Sequence, residues 1–132
     1  MKHFKNILFG VALVFTIGLV GCRTAPMYDV EQSPIDVSAK TTLKDIKKII
    51  KRSGASYGWR MKEKEPGVIT GLLNVRKHMV EIEIPYSKTS YSIHYKDSSG
   101  MKYDASSSTI NKQYNKWVQN LDRAIQTNLY SM

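Results

Sequence analysis

One cysteine in 132 residues means that no disulfide can form within the chain and that paired-cysteine redox chemistry is excluded. Histidine is also sparse, at three residues, which leaves little from which to build a metal centre. Acidic side chains number 11 against 20 basic ones, so the formal charge is +9. Nucleophile-elbow, glycine-rich phosphate-loop and zinc-protease patterns are all missing, and with them the chemistries that those spacings serve. The long apolar run from Ile7 to Leu19 stands near the start. It is shorter than the roughly 20 residues that a membrane-spanning helix needs.

That run follows Met1-Lys2-His3-Phe4-Lys5 and closes on Leu19-Val20-Gly21-Cys22. A basic start, an apolar middle and a small residue before the cysteine form the processing signal of a bacterial lipoprotein precursor. The expected organisation is a signal peptide over residues 1–21, an acylated N-terminus with a flexible tether over 22–40, and a compact envelope domain over 41–132. Cys22 is the expected lipid attachment residue, with acyl groups such as palmitate on its sulphur and amine. Several acyl chains on one terminus make a stable anchor, whereas one alone is reversible. Arg23, rather than an aspartate, follows the cysteine, which favours the outer over the inner membrane in a diderm cell. Loss of Lys2 and Lys5 with the signal lowers +9 by two, leaving 111 residues with a side-chain charge of +7. Such a chain suits anionic lipid or a polyanionic envelope component, and export makes cellular nucleic acid the least accessible partner.

Pro26, Pro34 and small polar residues give residues 22–40 the composition of a linker, with Tyr28, Val30 and Ile35 able to dock. Thr41 or Thr42 can cap a first helix, and Asp45 completes a capping box with Thr42. Leu43, Ile46, Ile49 and Ile50 give that helix one apolar face, and Gly54 is its expected stop. Tyr57, Trp59 and Met61 then alternate with polar residues as a strand should. Lys64-Glu65-Pro66-Gly67 predicts a reversal into Val68–Val75, where Gly71 marks a bulge or a close approach. Val80, Ile82 and Ile84 predict a third strand, and Ser90–Tyr95 a fourth, followed by the turn Asp97-Ser98-Ser99-Gly100. Met101-Lys102-Tyr103 reads as a short return strand or a packed loop. From Ser107 or Ser108 as cap, Ile110, Tyr114, Trp117, Leu121, Ile125 and Leu129 form the stripe of a long final helix. The expected fold is α+β, a two-layer sandwich in which a four-stranded antiparallel meander is covered on one face by the N-terminal and the long C-terminal helix.

Gly21-Cys22, Gly58-Trp59, Ile84-Pro85-Tyr86, the run Ser90 to Ser98 and the run Asn115 to Asp122 are similar to segments of a family of small, largely uncharacterised proteobacterial lipoproteins. His94 departs from the arginine more common at that place. The resemblance implies a small envelope lipoprotein and carries over no catalytic residue.

Lys44, Lys47, Lys48 and Lys51 share one side of the first helix and are the candidate contact to an anionic surface. Tyr86 and Tyr103 stand outside the repeating apolar stripes and are candidate partner contacts. His78 and His94 with Glu81 or Glu83 make an incomplete metal set, and the two glutamates suit a solvated strand face. The serines look like turn and cap residues, because a nucleophile needs a positioned base. No catalytic, metal or cofactor residue is assigned. The expected role is a noncatalytic, membrane-tethered interaction or structural domain with the membrane and an envelope protein or anionic component as partners. The alternative is a small envelope hydrolase or ligand-processing domain, which would bring His78 or His94 beside a carboxylate or serine in a cleft.

Overall fold

The computed structural model describes residues 23–132. The expected signal and Cys22 lie outside the described residues. Among those described, no helix is long and apolar enough to cross a membrane. The order is β1 (Thr24–Pro26), β2 (Val30–Pro34), α1 (Leu43–Ser56), β3 (Arg60–Glu65), β4 (Val68–Val75), β5 (His78–Pro85), β6 (Ser90–Ser99), β7 (Thr109–Asn111) and α2 (Lys112–Tyr130).

The fold is α+β, with two helices, a five-stranded antiparallel sheet ordered β2-β6-β5-β4-β3, and a separate pair formed by β1 and β7. The expected sheet of four strands therefore gains a fifth, and the gain comes from the segment expected to be a tether. β2 adds to the edge of β6, with Val30 opposite Ile93 and Ser33 opposite Tyr91. Its apolar signal is hard to see because a bulge interrupts it between Val30 and Ser33, where Gln32 turns to a φ of +50°. Val30 and Ile35 bracket the strand and are buried. The bulge and the exposed Glu31, Gln32 and Pro34 blunt this edge. At the other edge β3 reads Arg-Met-Lys-Glu-Lys-Glu, with Met61 the only position not exposed.

Ile69, Gly71 and Leu73 of β4 lie opposite Ile84, Ile82 and Val80 of β5, so the inward face crosses the sheet in continuous rows. Gly71 marks a close approach: an added Cβ would meet Ile82 and the Met61 sulphur at 3.0 Å. Pro66 and Gly67, the latter at φ +85°, close the β3–β4 hairpin.

Thr42 caps α1 as expected, its hydroxyl accepting from the Asp45 amide at 3.1 Å while Asp45 accepts from the Thr42 amide at 2.9 Å. Gly54 does not end the helix. It is buried where an added Cβ would lie 2.0 Å from the Met61 methyl, so its role is to let α1 approach β3. The helix runs on to Ser56, Tyr57 becomes an exposed cap residue, and Gly58 at φ +88° redirects the chain. The first strand of the hairpin consequently starts at Arg60 rather than Tyr57.

The final helix starts later than expected. Asn111, not a serine, caps α2 by accepting from the Gln113 amide at 2.9 Å, because Thr109–Asn111 is occupied in pairing with β1. Tyr114, Val118, Leu121, Ile125 and Leu129 face the core, and Trp117 sits half-buried at its border. Met101 is buried in a loop rather than a return strand. The two helices join through Ser53, whose hydroxyl donates to the Ile49 carbonyl at 2.8 Å and accepts from Asn128 Nδ2 at 2.8 Å.

Candidate functional site

Two surfaces hold most of the side chains to which the sequence points. Lys44, Lys47, Lys48 and Lys51 recur at helical spacing along α1 and share one side of it. Lys47 is partly neutralised, with Nζ 3.0 Å from Glu63 Oε2 on β3. Lys44, Lys48 and Lys51 have no carboxylate within 4.0 Å among the described residues. Lys44 and Lys47 line a shallow groove with Leu43, Glu63, Pro66 and Tyr86.

Tyr86 is thus brought beside the basic helix, but as a core residue: it is 8% exposed. Burial raises its hydroxyl pKa, the Glu63 charge adds to the rise and Lys47 opposes it. Its amide donates to the Gly67 carbonyl at 2.9 Å, locking it under the β3–β4 hairpin. Tyr86, a candidate partner contact, therefore reaches the groove only with the small part of its ring that burial leaves exposed. Tyr103 is exposed and stacks on Tyr95 with ring centroids 4.2 Å apart. Because β5 and β6 are antiparallel, Tyr86 after β5 and Tyr103 beyond β6 occupy opposite ends of the sheet.

The outer face of the sheet carries Glu81 and Glu83. Glu83 Oε1 lies 2.7 Å from Lys64 and 2.8 Å from Lys96, and Lys96 also approaches Glu81 at 3.6 Å. The hydrogen bonds from Lys64 and then Lys96 lower the Glu83 pKa to about 2. A carboxylate so held is an anionic brace, poorly suited to donate or take up a proton near neutrality. His94 meets Glu31 of β2, Nε2 to Oε1 2.7 Å, on an open part of the same face. His78 is elsewhere, its Nδ1 2.9 Å from the Gly100 carbonyl and its ring centroid 6.4 Å from Trp117. The two histidines are not brought together. Among the described residues, no three histidine, cysteine, aspartate or glutamate side chains gather as a metal-binding group. Ser87 receives the Thr89 and Ser90 amides, both at 3.2 Å, and Ser106 donates to Asp104 at 2.6 Å, so both serines organise turns.

A network that residue patterning did not reveal joins β2, β6 and α2. Tyr91 donates to Asp122, and Gln126 Nε2 donates to the Tyr91 hydroxyl at 2.9 Å and to Ser33 at 2.6 Å. Nearby, Asn115 accepts from the Tyr28 amide at 2.8 Å and donates to the Pro26 carbonyl at 3.0 Å. Burial, followed by the hydrogen bond to Asp122, pushes the Tyr91 hydroxyl pKa far upward. Tyr91, Asn115 and Asp122 belong to the contacts that bind the N-terminal segment to the last helix, and their partners lie 31 to 89 positions away, beyond the reach of local spacing. Comparison with protein-family models, curated proteins and solved structures finds no match.

Proposed function

We propose that the chain is a noncatalytic lipoprotein domain of a bacterial cell envelope, anchored through acylated Cys22 and acting by holding an interaction surface at a membrane. The observation that carries this reading is the junction between the cysteine motif and the folded body. Arg23 alone separates Cys22 from β1, and the Arg23 carbonyl accepts from the Lys112 amide at 3.4 Å. An anchor at Cys22 would hold the body directly against its membrane, without the tether expected from composition.

The engaged states of Glu81, Glu83 and His78 support a structural reading of those residues. A periplasmic placement on the outer membrane accords with Arg23 after the cysteine. The lysines of α1 lie partly at the far end of the body, beside Pro66 and Gly67, and suit a second, anionic envelope component there. Raised local concentration at the surface means that such a contact needs only modest intrinsic affinity.

Mass analysis of the N-terminal peptide from native membranes tests the anchor. The expected product begins at Cys22 and carries the mass of several acyl chains, and Cys22→Ser moves the protein out of the detergent phase. An intact Met1 with an unmodified thiol rejects the reading.

A further inference from the structure

We propose that the end of the body at which the chain arrives from Cys22 is a docking face for an anionic lipid bilayer, an inference that rests on the lipid anchor proposed above. Arg23, Arg76, Lys77, Lys102, Lys112 and Lys116 are all exposed, and none has a carboxylate within 4.0 Å among the described residues. They come from four separate stretches of sequence that the fold draws to one end. The Lys112 amide holds Arg23, and Lys116 follows one turn later on α2. The Asn111 amide donates to the Met101 carbonyl at 2.8 Å, which brings Lys102 alongside. His78 reaches the Gly100 carbonyl at 2.9 Å, which fixes the Arg76-Lys77 turn against the same loop. Arg76 and Lys102 both adopt left-handed backbone, at φ +55° and +52°, as residues at sharp turns.

Aromatic side chains accompany the charges. Tyr103 is 43% exposed, and Trp117 is half-buried one residue beyond Lys116. Tryptophan and tyrosine among lysine and arginine is the composition of a membrane-water interface, where amphipathic rings sit at headgroup level. Acidic residues near this end include Asp97, with Glu81 opposite it in register, Asp104, and Asp29, whose charge reaches the Tyr114 hydroxyl. Asp97 accepts from the Ser98 amide at 2.8 Å, and Asp104 from the Ser106 amide at 2.9 Å. The six cations outnumber these four carboxylates.

Reach selects this end over α1. Two extended residues span about 7 Å, so an acylated Cys22 leaves the β1 end close to the headgroups. Surface charge acts over a Debye length of about 8 Å at physiological salt, a distance within which this end is held. Lys44 and Lys47 stand at the opposite end of the sheet, with the β3–β4 hairpin. Basic residues near an anionic leaflet reinforce the acyl anchor and give the body a fixed orientation.

The test uses the chain without residues 1–21 and with Cys22→Ser, so that adsorption is read without acyl chains. Partition is measured at low salt onto vesicles of phosphatidylglycerol and phosphatidylethanolamine, and onto phosphatidylcholine alone. Replacing Arg76, Lys77, Lys102, Lys112 and Lys116 with glutamine is expected to lower partition onto the anionic vesicles at least about tenfold. Glutamine at the four α1 lysines is expected to lower it less than about threefold. The milder pair Lys112→Gln and Lys116→Gln, with circular dichroism as a folding check, is expected to give an intermediate loss. Equal partition of parent and pair, equal binding to phosphatidylcholine, or a larger loss from the α1 variant overturns the docking face. An unmodified Cys22 in native material, with the vesicle pattern intact, overturns the anchor and leaves the basic face standing.

Discussion

The Tyr91 hydroxyl donates to the carboxylate of Asp122, joining the start of β6 to the third turn of α2. Gln126 completes the junction by donating to the same hydroxyl and to Ser33. Tyr91→Phe removes the shared hydroxyl and strands one Asp122 oxygen. A loss of about 1–3 kcal/mol is expected in urea unfolding, together with faster amide exchange in β2. A variant with unchanged stability would show that water replaces the hydroxyl without cost.

Tyr114 presents the opposite case. Its ring is fully buried and meets Tyr95 edge-on with centroids 5.8 Å apart, but its hydroxyl is buried without a hydrogen-bond partner among the described residues. Tyr114→Phe keeps the ring and removes the stranded group, so the variant should be as stable as the parent or gain about 1 kcal/mol. Thermal melting checks the sign. A drop of more than about 1 kcal/mol would mean that the hydroxyl has a bonding role.

Met61 lies against both Gly54 of α1 and Gly71 of β4, filling the gap between helix and sheet. Gly54→Ala gains helix propensity of about 1 kcal/mol but its Cβ lies 2.7 Å from the Met61 Cγ, near the stem of that side chain, for an overpacking cost of about 1–3 kcal/mol. A net destabilisation is expected in the parent. In a Met61→Ala background the collision disappears and the same substitution should stabilise. A double-mutant cycle reads the coupling directly, and additive effects would refute the steric account.

Glu83 couples stability to acid. Its pKa falls from 4.5 to about 2 on folding, because Lys64 and Lys96 hold the ionised form. The contribution of these pairs is complete above the unfolded value of 4.5 and is lost as pH drops through about 2. Since the glutamate side chain is 28% exposed, water screens the pairs, and about 1 kcal/mol in total is expected. Glu83→Gln should be less stable than the parent at pH 6 and converge with it toward pH 2. A constant difference across that range would place the effect in packing instead.

Regular periodicity made much of the fold legible. Ile46 and Ile50, the alternation Val80-Ile82-Ile84, and the stripe from Tyr114 to Leu129 each bury one side of an element that local spacing already defines. The Thr42–Asp45 box was equally readable, because both partners lie within one turn. Val30-Glu31-Gln32-Ser33-Pro34 was not. As a bulged edge strand it buries little, and its pairing with β6 depends on residues about 60 positions away. Gly54 misled for a related reason: a glycine at a helix end and a glycine under a neighbouring methionine look the same in one dimension.

Charge and the pattern around the single cysteine belong to the chain as written. The cysteine motif, the excess of lysine and arginine and the α1 face follow from residue order, because each depends on neighbours within a few positions. Three-dimensional packing settled where those charges stand. The four stretches that carry residues 23, 76–77, 102 and 112–116 have no local relationship to one another, and they gather at one end because β1 pairs with β7 and because the β4–β5 turn is fixed against the loop after β6. The same packing put Tyr86 under a hairpin and left Tyr103 in solvent, since burial depends on what the rest of the chain folds over a side chain.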